Sequence, residues 1–438
     1  MSRFVRQSKV RHLFGTGDKK ENTYTHLRLS SATGDGQYIK ANSKYFAVSY
    51  GSGGGGACAV IPFSLVGALP NGYPMIRGHK SAILDFDFSP FNDTILATAS
   101  DDCTSKIWSI PDGGLKENMT EPLCVLDGHL RKVNFALFHP TAENVIATAS
   151  ADHTVKIWDA GVGGAEKVTL EGHTELVQDL KWSYDGSTLA TSSKDKLMRL
   201  YDARAPEAYA QCKPHEGSKC FKVCFLGNTG NLVTVGFTRQ SKRQFKIWDS
   251  RNLDKCIKTQ DLDQASGVIM PHFDESNNVL YLAGKGDGNI RYFEISDKSD
   301  KCFSISEYRS STSQKGVCFL PKRNLNILKC EVQRALKLTS NTVESVSFTI
   351  PRKSDRFQPD LFPDCYAGVP AMTADEYFGG KNANPPLVSL DPAKGGKVSA
   401  GAANTKKARM SYIQIESELK KAQARIAELE AEVAKLKA

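Results

Sequence analysis

His129, Ser150, Asp152 and Trp158 are residue types from which a nucleophile, a base and an orienting carboxylate could be assembled, and the set recurs. His79, Ser100, Asp102 and Trp108 repeat it, as do His173, Ser193 and Asp195 with Tyr201 in the aromatic place. In each copy the Asp stands six residues before the aromatic side chain. A hydrolytic centre is needed once per chain, so copies at one spacing point to the scaffold instead. The chemistry that fits is a hydrogen-bonded network. A buried indole N–H needs an acceptor, and a buried polar chain is stable only when every member is satisfied. Removing one member is expected to cost about 1–3 kcal/mol through the partner left unpaired.

Cys212, His215, Cys220 and Cys224 carry ligand chemistry of another kind, that of zinc. Their spacing matches no compact zinc motif, and Cys220 and Cys224 fall on one side of the alternating segment CFKVCFL, as strand core residues do. The glycine-rich runs GSGGGG (51–56) and GKGDG (284–288) lack the Lys-Ser or Lys-Thr of a phosphate loop and read as hairpins. No catalytic residue, metal or cofactor is called for.

The elements that must position these residues are short strands. In Gly128–Asp159 the apolar positions alternate in runs: Val133, Phe135 and Leu137, then Val145, Ala147 and Ala149, then Val155 and Ile157. His139-Pro140 and Ala151-Asp152 break the pattern where turns are needed. The unit resembles a WD-type propeller repeat. That resemblance implies an Asp that holds a turn and bonds His, a His that meets Ser or Thr, and a hydroxyl that receives the indole N–H. Fainter copies end at Trp248-Asp249 and at Phe293-Glu294, the latter again with an Asp, Asp287, six residues earlier. The strand-end aromatics at 108, 158, 201, 248 and 293 are 43 to 50 residues apart. One step back lands on ACAVIP (57–62) and one step forward on VSFTIP (346–351). The sequence therefore predicts an all-β, seven-bladed propeller over residues 1–352.

The chain has 438 residues, of which 40% are hydrophobic, enough for a large core. No apolar run follows the basic start MSRFVRQSK, and none approaches the ~20 residues needed to cross a bilayer. Neither a signal peptide nor a membrane span is expected, and the cytosol is the expected compartment. Eleven cysteines in strand-like contexts such as Ala57-Cys58-Ala59 read as buried thiols in a reducing compartment. The net charge of +9 is uneven, since residues 1–44 hold nine Lys or Arg against three acids. An acidic partner is implied; nucleic acid, an anionic membrane or an acidic filament would each satisfy it.

Three longer motifs narrow that choice. VRQSKVRHLFG (5–15), LAGKGDGNIRYFE (282–294) and PRKSDRFQPDLFPDCYAG (351–368) resemble the coronins, a family of actin-associated propellers, with Cys365 where the family usually has Thr. The resemblance implies a C-terminal extension, 353–380, packed back on the blades, and F-actin bound through basic surface residues. Arg28 falls at the position of an arginine linked to filament binding in the family. Arg6, Lys9, Arg11, Lys19 and Lys20 accompany it, and Arg352 with Lys353 adds a second basic group near the ring closure. The resemblance also implies contacts with the branched-actin nucleating complex and filament-severing factors, and the basic surface suits phosphoinositide membranes as an additional partner. It implies a cytoplasmic, cytoskeletal and cortical location, with no nucleic-acid partner and no enzyme activity. The rival reading is a general WD-repeat scaffold that takes peptides on the propeller face.

Val10, Leu13 and Phe14 should anchor the opening segment, whose strand is expected to complete the last sheet and close the ring. THLRLS (25–30) reads as an early strand with Leu27 and Leu29 inward and Arg28 outward. Thr373 and Glu376 form a capping-box pattern, so a short helix should start there. Residues 381–408 read as a linker reaching about 30 Å on average. In 409–438, Tyr412, Leu419, Ile426 and Val433 alternate with Ile415, Ala422, Leu429 and Leu436 as the a and d positions of a coiled coil. Arg425 with Glu430, and Glu432 with Lys437, are flanking pairs suited to a parallel oligomer. The segment from Arg425 to Glu430 resembles a trimer-favouring pattern and makes a homotrimer the expected state, with a dimer the alternative because Ile and Val at a with Leu at d favour it.

Overall fold

Branched and aromatic residues at every second position cover one face of a pleated strand, and this drives the runs of the repeat into sheets. The structure, a computed structural model, describes residues 7–30, 36–51, 56–296, 298–354 and 356–395. It shows seven antiparallel sheets arranged as a propeller. Blade 1 comprises Ile39–Ala41, Tyr45–Tyr50, Gly56–Pro62 and Ile76–His79. Blade 3, the clearest repeat, comprises Val133–Phe138, Val145–Ser150, Val155–Asp159 and Ala165–Leu170, paired in that order. The inner strands of blades 2, 4, 5, 6 and 7 begin at Ile83, Val177, Lys222, Ile269 and Gly316.

Among the described residues the apolar core is divided into clusters that lie between neighbouring blades. Tyr45, Cys58 and Val60 of blade 1 pack on Phe86 and Trp108 of blade 2. Across the closure, Ile39 and Phe46 meet Cys318, Leu336 and Leu338 of blade 7. Second strands such as Ile95–Ser100 and Val145–Ser150 are buried throughout, and their alternate alanines let adjacent blades approach to the close packing of a protein interior.

The ring closes as the opening segment requires. Phe14–Gly17 pairs antiparallel with Val346–Thr349 of blade 7, while Val10 and Leu13 are fully buried beside blades 6 and 7. The expected strand over 25–30 is much shorter. Only Tyr24–Thr25 is strand, since His26 turns into the left-handed region at φ 62° and the chain leaves the outer edge of blade 7 for the inner strand of blade 1. Leu27 is buried and Arg28 exposed, as anticipated; Leu29 keeps one bridge, to Tyr50.

After Ile350 the chain crosses the ring as a strap. Leu361, Phe362 and Cys365 pack on blades 6 and 7. Further on, Ala371 N donates to Thr141 O at 2.8 Å and Glu143 N to Met372 O at 3.0 Å. The capping box of Thr373 and Glu376 starts a helix at Ala374–Phe378. This brings Tyr377 against His139, 4.4 Å between ring centroids, beneath the Arg204 guanidinium. The strap then doubles back: Leu387–Val388 pairs with Cys365–Tyr366, and Leu390 is buried beside Leu361. Packed chain therefore continues past 381, where composition suggested a linker. Arg6, the later linker and the coil positions Ile415, Leu419, Ala422, Arg425, Ile426, Leu429, Glu430, Val433 and Leu436 lie outside the described residues. The strap covers the end of the ring carrying connections between first and second strands, such as 139–144. The opposite end, with the loops that enter each inner strand, is here called the open face. Among the described residues no helix is long and apolar enough to cross a membrane.

Candidate interaction surface

The recurrent polar sets sit just beneath the open face and shape its loops. His79 Nδ1 lies 2.9 Å from Asp102, its Nε2 lies 2.7 Å from Thr98 Oγ1, and the Trp108 indole donates to the same oxygen at 2.8 Å. His129, Asp152, Thr148 and Trp158 repeat this at 2.9, 2.8 and 2.7 Å. The hydroxyl is thus a threonine and not Ser100 or Ser150. Trp108 is paired opposite Leu96 and Trp158 opposite Ile146, so each indole reaches the diagonal neighbour two residues along. The serines lie two residues farther on, where they tie the turn: Ser100 donates to Ala82 O and accepts from Asp102 N, and Ser150 does likewise with Arg131 O and Asp152 N. The threonine was legible in the recurring segments ATAS, ATAS, ATSS and VTVG.

Blade 4 departs from the expected set. His173 meets Thr191 at 2.9 Å and Ser193 again ties its loop, but Asp195 pairs with Arg199 at 2.8 Å instead of with His173. The Tyr201 hydroxyl, carried farther out than an indole nitrogen, overshoots to Glu171 O at 2.7 Å. Blade 5 holds a set the sequence reading missed. His215 and the Trp248 indole both meet Thr234 Oγ1, at 3.0 and 2.9 Å, with Gln244 in the acid's place. His215, weighed above as a zinc ligand, is occupied there. Between blades 5 and 6 the tie is ionic: Arg243, 2% exposed, binds Asp263 at 2.6 Å and Asp287 at 2.7 Å.

Burial lowers the pKa of His79 and His129 even beside carboxylates. Burial would raise Asp152, but hydrogen bonds from Thr154 and His129 outweigh it and hold its carboxyl at about 2. Neutral imidazole against ionised Asp makes Nδ1–H the donor and Nε2 the acceptor of the Thr O–H, which satisfies every member. Both ring nitrogens are engaged, so these sets fasten consecutive blades and offer no nucleophile to solvent.

The basic residues picked out by sequence separate into two groups. Gly51 N donates to Arg28 O at 2.7 Å, and Leu27 N to Asn341 O at 3.1 Å, which places exposed Arg28 on the open face between blades 7 and 1. Lys19 and Lys20 are exposed at the outer edge of blade 7. Lys9, by contrast, donates to Ser276 O and Asp360 O at 2.9 and 2.8 Å, tying the N-terminal segment to blade 6 and the strap. Arg352 pairs with Asp360 at 2.8 Å, and Arg11 and Lys353 are exposed on the strap side. The four-residue strand Phe14–Gly17, roughly 13 Å long, carries the chain from one face toward the other. The open face bears further exposed cations at Lys80, Arg131, Lys132, Lys194, Arg239 and Lys242.

Comparison with known proteins agrees with this architecture. Residues 73–109, 120–159 and 164–202 match a model described as WD domain, G-beta repeat. Residues 343–385 match a type of WD40 repeat, and residues 3–68 a domain of unknown function (DUF1899). The chain is similar to Coronin-A of Dictyostelium discoideum, 43% identical over 98% of this chain and 100% of that one. It is also similar to a coronin-like protein of Saccharomyces cerevisiae, 40% identical over 88% of this chain but spanning only 60% of the yeast protein. Among solved structures, the WD40 domain of Toxoplasma gondii coronin superposes with a TM-score of 0.82 at 33% identity, covering 87% of this chain and 98% of that one. A chain of a mitotic checkpoint complex shares the fold alone, with a TM-score of 0.57 at 13% identity over 81% of this chain and 98% of that one. Repeats, closure and near full-length identity converge: the chain belongs to the coronin family.

Proposed function

We propose that this chain binds actin filaments through the open face of its propeller, with Arg28 a central contact, and that copies joined through residues 409–438 crosslink those filaments. Family membership along the whole chain carries the reading, and the exposure of Arg28 on an uncovered basic face supports it. Joining weak sites makes later contacts intramolecular and raises avidity by about 10²–10⁴. The same membership extends the proposal to the nucleating complex, severing factors and phosphoinositide surfaces as further partners, and to the cell cortex as its place of action.

Cosedimentation with F-actin tests it, using the full chain, a chain ending at residue 395, and Arg28→Asp. Both lengths should pellet with filaments, and only the full chain should bundle them. A charge-assisted contact is worth roughly 1.5–3 kcal/mol, so Arg28→Asp should weaken binding about 10-fold to 150-fold with an unchanged circular dichroism spectrum. If neither length pelleted, a general peptide-binding scaffold would replace this reading. Sedimentation equilibrium of the full chain decides between trimer and dimer.

A further inference from the structure

On blades 2 to 4 the residue following the histidine of the polar set occupies the same place, as Lys80, Leu130 and Thr174, with Glu216 next in the series on blade 5. Their backbone N–H groups donate to Asp102 at 2.9 Å, Asp152 at 3.0 Å and Asp195 at 3.4 Å. The bonds that fasten the blades therefore also hold these loops in one conformation. The three side chains form a row across blades 2 to 4 that presents a cation, an isobutyl group and a hydroxyl to solvent.

Leu130 is 87% exposed, more than any other large hydrophobic among the described residues. Lys and Thr fill the equivalent positions, so building a blade does not call for a leucine there. Arg131 and Lys132 follow it in the same loop and Lys80 holds the equivalent place on the preceding blade, and among the described residues the side chains of these three form no ion pair or hydrogen bond. Of the nearby acids, Asp102 and Asp152 bond histidines, Asp101 bonds the Ser81 hydroxyl at 3.2 Å and Glu175 pairs with Lys194 at 3.8 Å, while Asp127 is exposed three residues before Leu130.

We propose that this row is a docking site for a short acidic peptide segment of a protein partner. The peptide lies extended across blades 2 to 4, with one large apolar side chain seated on Leu130 and its carboxylates on Lys80, Arg131 and Lys132. Charge complementarity selects the acidic sequence and speeds encounter. The apolar seat supplies an anchor of the kind that dominates small interfaces, and loops already fixed by their aspartates cost little further ordering. The site is distinct from Arg28, which lies at the junction of blades 7 and 1, and it does not depend on the filament reading.

Fluorescence anisotropy at physiological salt tests it, with the full chain and two labelled probes: a Glu/Asp peptide bearing one central Phe, and the same peptide with Ser for Phe. The Phe probe should bind more tightly. Leu130→Ser should weaken it about tenfold and leave the Ser probe unchanged. The double variant Arg131→Glu, Lys132→Glu should lose both probes with an unchanged circular dichroism spectrum. Arg28→Asp should keep probe binding. Equal affinity for the two probes, indifference to Leu130→Ser, or no binding at all would each overturn the proposal, the first two leaving a merely electrostatic surface. Loss of filament pelleting by Leu130→Ser with probe binding intact would overturn it too, assigning the leucine to the filament.

Discussion

A single oxygen, Thr148 Oγ1, serves both the His129 ring and the Trp158 indole. Thr148→Val should leave two buried groups unpaired, at about 1–3 kcal/mol each, whereas Ser150→Ala should cost about 1 kcal/mol. Urea unfolding of the two variants compares them directly, and equal losses would contradict the assignment. The sequence reading placed the His, Asp and Trp of blades 2 and 3 but took the wrong hydroxyl: Ser and Thr both suit the chemistry, and the recurrence of Thr through all four segments, Ser being absent from the VTVG of blade 5, was the signal that separates them. The Asp195–Arg199 pair was likewise invisible, since a nearby guanidinium competes with the imidazole only once the turn has formed. His139 sets a pH limit. Burial pushes its pKa to about 4 while Nδ1 accepts from Ala142 N and Nε2 meets Gly186 O. Its folded pKa lies below the unfolded value near 6.5, so its contribution is complete above about pH 6.5 and is lost as pH falls toward about 4. At about 1.4 kcal/mol per unit this amounts to roughly 3 kcal/mol. His173, held at about 4 by burial and by Arg199, adds to the same window. Thermal unfolding temperature should drop between pH 6.5 and 4.5, before Asp152 titrates; a flat profile would rule out neutral buried rings.

Among the elements, the strap makes contacts that a sequence hides best. Its helix was legible because a capping box is local, but Tyr366 donates to Pro140 O across 226 residues. The same remoteness misplaced the linker: Leu387 and Val388 sit in a Pro- and Gly-rich stretch, and their strand character depends on Cys365 and Tyr366. Tyr377 closes the aromatic stack with His139 and Trp182. Tyr377→Ala should cost about 3–5 kcal/mol by the usual penalty for emptying a large aromatic site. Limited proteolysis should then cut residues 370–395 while the blades stay intact, and unchanged protection there would show that the strap is held elsewhere. The N-terminal strand is the other closing element. Without residues 1–18 the edge of Val346–Thr349 would lie open, a template for pairing between copies. Size-exclusion chromatography of that truncation should show aggregates, whereas a stable monomer would mean that the strap alone keeps the ring shut.

For the molecule as a whole, the repeat spacing already dictated seven blades, since only the count of units was needed to close the ring. The distribution of charge over its two faces was not legible. Nine cations concentrated in residues 1–44 look like one patch in sequence, yet the closing strand delivers Lys9 and Arg28 to opposite ends of the propeller. The strap has a mechanical corollary. The described chain ends at residue 395, five residues after Leu390, which packs on the face opposite Arg28. Tension between a held propeller and a pulled tail therefore loads Leu390 and the two-residue pairing of Leu387–Val388 before any blade. That contact should peel first and pay out residues 381–395, about 50 Å of extended chain, seen in an optical trap as a short step ahead of ring opening. Strain applied through residue 395 would then lengthen the chain there and spare the propeller.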